Sequence, residues 1–153
     1  MKRVSVIFTI ALLSLVIAAS ASAQRNVTPA IDRDPLMEAD AKHNLDVAWQ
    51  AFGSARQAYK QVLLRFEETF AAYPDFSKID EFLYLAGMSS YYLSENKGKQ
   101  RVDYKSEKEK LRFDPARLRD EAKMYLGMLV EKYPQSKYKA DAEKTLDTLK
   151  TQK

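Results

Sequence analysis

Few residues in this sequence are of the types that catalyse reactions or bind metals. His43 is the single histidine, and it lies in the polar stretch 40–45, which favours a surface position over a catalytic or metal-binding one. The chain has no cysteine, which excludes a disulfide framework, a thiolate zinc site and a cysteine nucleophile. No glycine-rich phosphate loop is present either. The sequence therefore predicts no cofactor and no metal site.

Neighbouring carboxylates are the remaining candidates for acid–base chemistry. Glu67 and Glu68 form one pair, and Glu107 and Glu109 form another. Nothing in their surroundings predicts that they are desolvated or held opposite each other, as acid–base catalysis would require. We therefore expect solvated helix faces and a protein that is not an enzyme. A small hydrolase is the weaker alternative, because it would need a nucleophile and a base in one pocket.

Tyrosine is abundant, with 9 residues in the chain. Its rings could stack on a sugar or on a partner, but tyrosines at helical spacing more often fill seams between helices, where the hydroxyl can still reach a partner or water. Tyr59 and Tyr91 are the better candidates for an exposed groove. The tyrosines that we expect in the core are Tyr73, Tyr84, Tyr125, Tyr133 and Tyr138.

The elements that would position these residues follow a repeated pattern of helix, Tyr-Pro break and second helix. Tyr73-Pro74 ends an apolar helical stripe, because proline cannot continue the helix, and Ser77 is predicted to cap the next helix together with Asp80. Tyr133-Pro134 repeats the break 60 positions later. A tetratricopeptide repeat has a period of about 34 residues, so the excess is assigned to an insertion at residues 95–113.

Other helix boundaries follow from local signals. Asp34-Pro35 and Asp114-Pro115 each predict a helix start with an aspartate cap and proline in the first turn. Gly53-Ser54 favours a break in the first helix, with a continuous helix to Ala72 as the alternative. Gly87, inside a helix that is apolar nearly all round, indicates a close helix approach. The prediction for residues 34–150 is an all-α, tetratricopeptide-like helical repeat, a short α-solenoid of about five helices.

The insertion is rich in charge and poor in large apolar residues. Residues 95–112 hold seven basic and four acidic side chains, a net charge of +3. A solvated loop or an exposed helix is one interpretation. The other is a contact for an acidic partner surface or for anionic headgroups, which would be sensitive to salt.

The first 23 residues have the pattern of a secretory signal. Lys2 and Arg3 precede an apolar run, and Ala21-Ser22-Ala23 is a small-residue cleavage site. An uncleaved membrane anchor is the weaker alternative, since the run is short for a bilayer. We expect cleavage after Ala23, a flexible lead at 24–33, a periplasmic or secreted location and no later transmembrane segment. Loss of Lys2 and Arg3 would lower the formal net charge from +4 to +2, which does not favour nucleic acid.

Several motifs between residues 55 and 150 resemble the tetratricopeptide-like region of the BamD-type outer-membrane assembly lipoproteins. The motifs that carry the resemblance are Tyr73-Pro74, Ser77-Lys78, Leu83-Tyr84, Gly87, Tyr91-Tyr92, Leu129 to Tyr138, and Asp141-Ala142. Their repeat-packing residues are Tyr73, Pro74, Gly87, Tyr133, Pro134 and Ala142. Members of this type begin their mature chain with a lipid-carrying cysteine, whereas position 24 here is glutamine.

The resemblance implies a non-catalytic repeat module that binds other envelope proteins and is linked to outer-membrane protein assembly. Peripheral contact with the outer membrane is a further expectation. A peptidoglycan- or cell-division-associated periplasmic adaptor of the same fold is the alternative, because such adaptors share the Tyr-Pro-x-Ser pattern.

Repeat arrays present a groove formed by the first helices of successive pairs, here about residues 55–72 and 116–132. Their non-core side chains are polar and mainly basic: Arg56, Lys60, Arg65, Arg119, Lys123 and Glu131. We predict that an acidic or extended segment of another envelope protein docks on this surface. The predicted partner-binding residues are Tyr59, Arg65, Tyr91, Arg119 and Lys123.

Overall fold

The computed structural model describes residues 33–151, in which helices are joined by turns and loops and no strand occurs. The predicted signal peptide, its cleavage site, the lead up to residue 32 and the last two residues lie outside the described range. The five long helices agree with the all-α, tetratricopeptide-like prediction, and a short sixth one lies in the insertion. In chain order the helices are α1 (Pro35–Phe52), α2 (Tyr59–Ala72), α3 (Ile79–Ser94), α4 (Glu107–Arg112), α5 (Pro115–Lys132) and α6 (Lys139–Thr151).

The two Asp-Pro helix starts are confirmed. The Asp34 side chain accepts a hydrogen bond from the backbone N–H of Leu36 at 2.8 Å, and that of Asp114 accepts one from Arg117 at 3.0 Å. The break at Gly53 is also confirmed, because α1 ends at Phe52 and α2 begins only at Tyr59.

The predicted side-chain cap at Ser77 is wrong. The helix α3 begins after Lys78 without any side-chain cap, and the backbone N–H of Ser77 instead donates to the Glu38 carboxylate of α1 at 3.3 Å. Phe76, in the same turn, is only 2% exposed. Contacts with the rest of the molecule therefore fix this turn, where the sequence motif predicted a local cap.

The two Tyr-Pro turns have matching hydrogen bonds. The backbone N–H groups of Tyr73 and Tyr133 donate to residues four positions earlier, Thr69 and Leu129, at 2.8 and 2.9 Å. The carbonyls of the same two tyrosines then accept from residues three positions later. Each turn ends one helix and reverses the chain into the next, so α2–α3 and α5–α6 form two successive helix pairs.

The central helix is α3, which contacts α1, α2, α5 and α6. Its buried residues lie on nearly all sides, as expected for a helix between several neighbours. Gly87 permits the closest of these approaches, because a Cβ added there would lie 2.6 Å from Cδ2 and Cγ of Leu126 in α5. Ala142 of α6 is also fully buried.

The insertion between α3 and α5 folds back against α2. Val102, near its middle, and Phe113, at its end, are buried. Lys60 of α2 forms an ion pair with Glu109 at 2.7 Å, and Glu67 of α2 pairs with Arg112. The α4 helix itself buries no residue. The insertion is therefore an exposed segment that is fastened at defined points.

Candidate protein-binding surface

An aromatic cluster forms where α1 ends, α2 begins and α3 ends. The ring centroids of Tyr59 and Tyr92 lie 5.1 Å apart, those of Phe52 and Tyr59 5.5 Å apart, and those of Tyr91 and Tyr92 5.6 Å apart. The structure thus brings the two tyrosines predicted to line a groove, Tyr59 and Tyr91, to opposite sides of Tyr92.

This cluster lines an open cavity of about 520 Å³, a size that falls within the range of small-molecule and side-chain pockets. Tyr92 also lines a second cavity, of about 340 Å³, between α3 and α6. We call the two together the aromatic groove. The first cavity is lined by Phe52, Ser54, Gln57, Tyr59, Tyr92, Lys97 and Gly98, and the second by Tyr84, Met88, Tyr91, Tyr92, Asp141, Lys144, Thr145 and Thr148.

Two loops with unusual backbone conformations build the first cavity. Gln57, Asn96 and Gly98 are the residues with positive φ among those the structure describes, at 45°, 54° and 109°. Such values are uncommon outside glycine and tend to occur at functional sites.

The same two loops are tied together by backbone contacts. The backbone N–H of Lys99 donates to the carbonyl of Gln57 at 3.1 Å. A Cβ added at Gly98 would lie 2.8 Å from Cδ2 of Tyr59, so glycine is needed both for the backbone angle and for the close approach.

Tyr59 is more enclosed than the sequence predicts. It is only 6% exposed, because the loop at Gly98 covers one edge of its ring. It therefore forms part of the wall of the cavity, while Tyr91 and Tyr92 remain half-buried. Tyr59 contributes shape to the groove, and the two half-buried tyrosines offer its accessible ring surface.

Lys97 provides the positive charge in the lining of the first cavity. Its ammonium lies 5.6 Å from the ring centroid of Tyr91 and 5.9 Å from that of Tyr92, within the distance for cation–π attraction. Within residues 33–151, no carboxylate lies close enough to Lys97 to form an ion pair. The groove therefore combines ring surface with a cation that has no fixed anionic partner.

The phenol groups of Tyr59 and Tyr92 are neutral at physiological pH, because their pKa values are raised. Burial, and secondarily the neighbouring Tyr92, raises the pKa of Tyr59, and burial raises the pKa of Tyr92 as well. Because a neutral phenol both donates and accepts a hydrogen bond, these hydroxyls can pair with backbone amides or side chains of a bound segment.

The five tyrosines that we expected in the core do pack against it. Tyr73, Tyr84, Tyr125, Tyr133 and Tyr138 are partly buried and pack against the core. Tyr84 and Tyr138 stack with centroids 4.5 Å apart, which joins α3 to the turn before α6. Nearby, the indole N–H of Trp49 donates to Glu81 at 2.6 Å, which fastens α1 to α3.

The basic residues of the predicted binding surface do not form one patch. On α2, Arg65 pairs with its neighbour Glu68 at 2.9 Å, whereas Lys60 and Glu67, on the other flank of that helix by helical spacing, pair with the insertion. Arg65 therefore faces away from the insertion.

Arg119 and Lys123 lie four positions apart on one flank of α5. The opposite flank of α5 carries Tyr125, whose ring contacts Phe66 of α2 with centroids 4.8 Å apart. Lys123 pairs with Asp120 at 3.5 Å. The structure thus keeps Arg119 and Lys123 together but places them on the side of α5 that does not face α2.

The carboxylates considered for acid–base chemistry are engaged in ion pairs. Glu67 pairs with Arg112 and Glu68 with Arg65. Glu107 pairs with Lys110 at 3.6 Å. Glu109 accepts hydrogen bonds from Lys60 and from the backbone N–H of Asp103, and these bonds lower its pKa. Each of these four acids therefore takes part in an ion pair with a lysine or an arginine.

Two further findings bear on metal and catalytic chemistry. His43 is exposed on α1. Among residues 33–151, no three histidine or acidic side chains come together in a way that could hold a metal ion.

Sequence reasoning missed four residues of the groove: Phe52, Tyr92, Lys97 and Gly98. By helical spacing Phe52 belongs to the apolar face of α1, and Lys97 counts only toward the charge of residues 95–112. The sequence does carry one local signal, since Asn96 and Gly98 are the residue types that adopt positive φ in turns. That signal marks a tight turn but does not indicate that the turn closes onto Tyr59.

A family model described as an outer membrane lipoprotein, YfiO, matches residues 2–152. The chain belongs to the YfiO family. This is the BamD-type family that the Tyr-Pro motifs predict. No curated protein and no solved structure matches the chain.

Membership of the YfiO family agrees with an envelope protein. The helices at residues 33–151 include none whose length and apolarity would suffice to cross a membrane. The family description names a lipoprotein, and the 153 residues contain no cysteine.

Proposed function

We propose that this YfiO family member is a non-catalytic module that binds other envelope proteins in the setting of outer-membrane protein assembly. The observation that carries the proposal is the aromatic groove, with half-buried tyrosines beside a lysine that has no carboxylate partner in the described part of the chain. Family membership supports the envelope setting. The predicted signal peptide, with cleavage after Ala23, would deliver the protein to the periplasm.

The chemistry of the groove favours an extended segment that combines an apolar or aromatic side chain with a carboxylate. The first cavity would take the apolar side chain against Phe52 and Tyr92, because aromatic pockets of this kind supply most of the energy of many protein interfaces. Lys97, beside the opening, would pair with the carboxylate. The groove is small for a stable interface, so we expect weak to moderate affinity.

The basic residues predicted from the sequence remain a second candidate surface. Arg119 and Lys123 lie together on α5, and Arg65 lies apart from them on α2. The ion pairs of Arg65 and Lys123 with neighbours on the same helix are exposed and cost little to break. An acidic partner could therefore compete for these two side chains.

Paired variants separate the two surfaces. We expect Tyr91→Ala combined with Lys97→Glu to reduce capture of the native partners by at least about tenfold, since it removes ring surface and reverses the charge at an interface anchor. The comparison variant carries Arg65→Glu, Arg119→Glu and Lys123→Glu. Capture is measured by crosslinking the tagged protein in its own cells and quantifying the partners by mass spectrometry.

The melting temperature serves as the control for both variants, because it shows whether each variant remains folded. Unchanged capture by the Tyr91/Lys97 variant would contradict the groove as the binding site. If the arginine–lysine variant alone lost its partners, the binding site would lie on the basic helix surface.

A further inference from the structure

The insertion carries exposed apolar side chains that neither cavity uses. Tyr104 is 49% exposed and Leu111 is 69% exposed. Single exposed apolar residues are ordinary, but these two share one short segment with a cluster of cations. This combination of exposed apolar side chains and cations indicates a binding surface.

Ion pairing within the segment leaves its positive charge unbalanced. Glu109 is taken up by Lys60 of α2, and Glu107 pairs with Lys110. The Asp103 carboxylate accepts from the backbone N–H of Lys105 at 3.0 Å. These three acids therefore do not neutralise the other cations of the segment.

Five cations of residues 95–112 have no carboxylate within ion-pair distance in the described part of the chain. Lys97 lines the first cavity and Lys99 donates to the carbonyl of Ala55 at 2.8 Å, which leaves three cations that neither contact holds. They are Arg101, Lys105 and Lys108, and all three are exposed. Together with Tyr104 and Leu111 they make up what we call the insertion patch.

The fold holds the insertion patch outward. Buried Val102 and Phe113 fasten the segment at two points, and Glu109 and Arg112 of α4 face α2 through their ion pairs. Lys108 and Leu111, three positions apart on α4, are both exposed. The anchors face the protein, and the cations and apolar side chains face solvent.

We propose that the insertion patch docks on an anionic lipid surface. Tyrosine is enriched at membrane interfaces, where its ring lies at headgroup level, and an exposed leucine adds apolar area that can enter the headgroup boundary. Arg101, Lys105 and Lys108 would contact lipid phosphates, since clusters of cations are attracted to anionic leaflets. This contact is separate from the aromatic groove and does not depend on what binds there.

A lipid surface fits the patch better than a folded acidic protein. The three cations have no side-chain partner that fixes their position, so they present diffuse charge to a fluid headgroup layer. A specific protein interface would favour cations held in place around a shaped pocket.

Vesicle flotation tests the proposal with the protein purified from the envelope of its own cells and its N-terminus sequenced. We expect binding to vesicles of phosphatidylethanolamine with phosphatidylglycerol, weak binding to pure phosphatidylcholine vesicles, and release at high salt. Changing Arg101, Lys105 and Lys108 to Gln should lower the vesicle affinity at least about tenfold. Tyr104→Ser with Leu111→Ser should weaken binding at unchanged net charge.

Matched controls separate a local patch from general charge. Lys42, Lys78 and Lys132 are exposed and have no ion pair within residues 33–151, and changing them to Gln removes the same net charge elsewhere. Leu36→Ser with Met124→Ser removes exposed apolar area elsewhere. Both control variants should bind as wild type does.

Two results would overturn the proposal. The first is an equal loss of binding in the lysine control, which would show that only net charge matters. The second is failure of the wild-type protein to float with anionic vesicles, which would leave an acidic protein surface as the occupant.

Discussion

At the scale of single residues, glycine shows how closely two helices of this repeat approach each other. Gly87 of α3 faces Leu126, which is fully buried in α5. The helix α5 has its own glycine, Gly127, where an added Cβ would meet nothing within 4 Å. The two glycines are therefore a matched pair, one required by packing and one not.

Gly87→Ala should lower the free energy of unfolding, and Gly127→Ala should raise it. Alanine is favoured over glycine in a helix by about 1 kcal/mol, and that gain is unopposed at position 127. At position 87 the new methyl group would lie 2.6 Å from Leu126, and overpacking of this kind costs about 1–3 kcal/mol. Chemical denaturation of both variants measures the difference. Equal effects would show that the α3–α5 approach is looser than described.

Tyr125 gives a prediction about alkaline stability. Burial, and secondarily the charges of Glu121 and Glu67, raises its pKa from the ordinary value of 10.0 to about 12. Between these values the unfolded chain releases the phenol proton while the folded protein keeps it. Stability that is present below pH 10 should therefore be lost as the pH rises toward 12.

Tyr125→Phe should reduce this loss, because phenylalanine has no proton to release. The free energy of unfolding is measured for both proteins at neutral pH and at several alkaline values. Wild type should fall more steeply than the variant above pH 10. Parallel curves would show that the phenol of Tyr125 ionises in the folded protein as easily as in water.

At the scale of elements, much of this structure could be predicted from local sequence signals. Asp34, Asp114, Gly53 and the Tyr-Pro pairs determine helix ends through their own side chains and backbone angles, so a single sequence is enough to read them. Ser77 is the exception, because Glu38, distant in sequence, takes the backbone N–H group that defines the turn. Such contacts between distant residues leave no local pattern.

The insertion should be the least protected described element. Within residues 101–112 only Val102 is buried, so few apolar contacts resist local opening. Hydrogen exchange followed by mass spectrometry should show residues 95–112 exchanging faster than α3 and α5. Strong protection across that segment would mean that it packs more firmly than its exposure indicates.

Phe113→Ala should increase this exchange further, because it removes the buried side chain that holds α4 near α2. The effect should be confined to the insertion and the start of α5. An exchange pattern unchanged by the substitution would show that the ion pairs of Lys60 and Glu67 are sufficient to hold the segment.

At the scale of the whole molecule, the aromatic groove lay beyond sequence reasoning even though two of its tyrosines were predicted. Tyr59 and Tyr91 are far apart in the chain, and they become neighbours only through Tyr92 and the contact between the loops at Gln57 and Gly98. The basic residues of the predicted binding surface show the opposite case, in which residues expected together lie apart. Arg65, Arg119 and Lys123 were predicted to share one groove, yet Arg65 pairs within α2 and the other two lie on the flank of α5 that does not carry Tyr125.

The central claim is that the aromatic groove receives a partner in the envelope. The most direct test places a photo-crosslinking amino acid at position 91 in living cells and compares it with the same probe at His43, which is exposed and outside the groove lining. The groove predicts discrete protein adducts from position 91 that weaken when Lys97→Glu is added, and none of these adducts from position 43. Identical adducts from both positions, or none from position 91 while the protein stays folded, would contradict it.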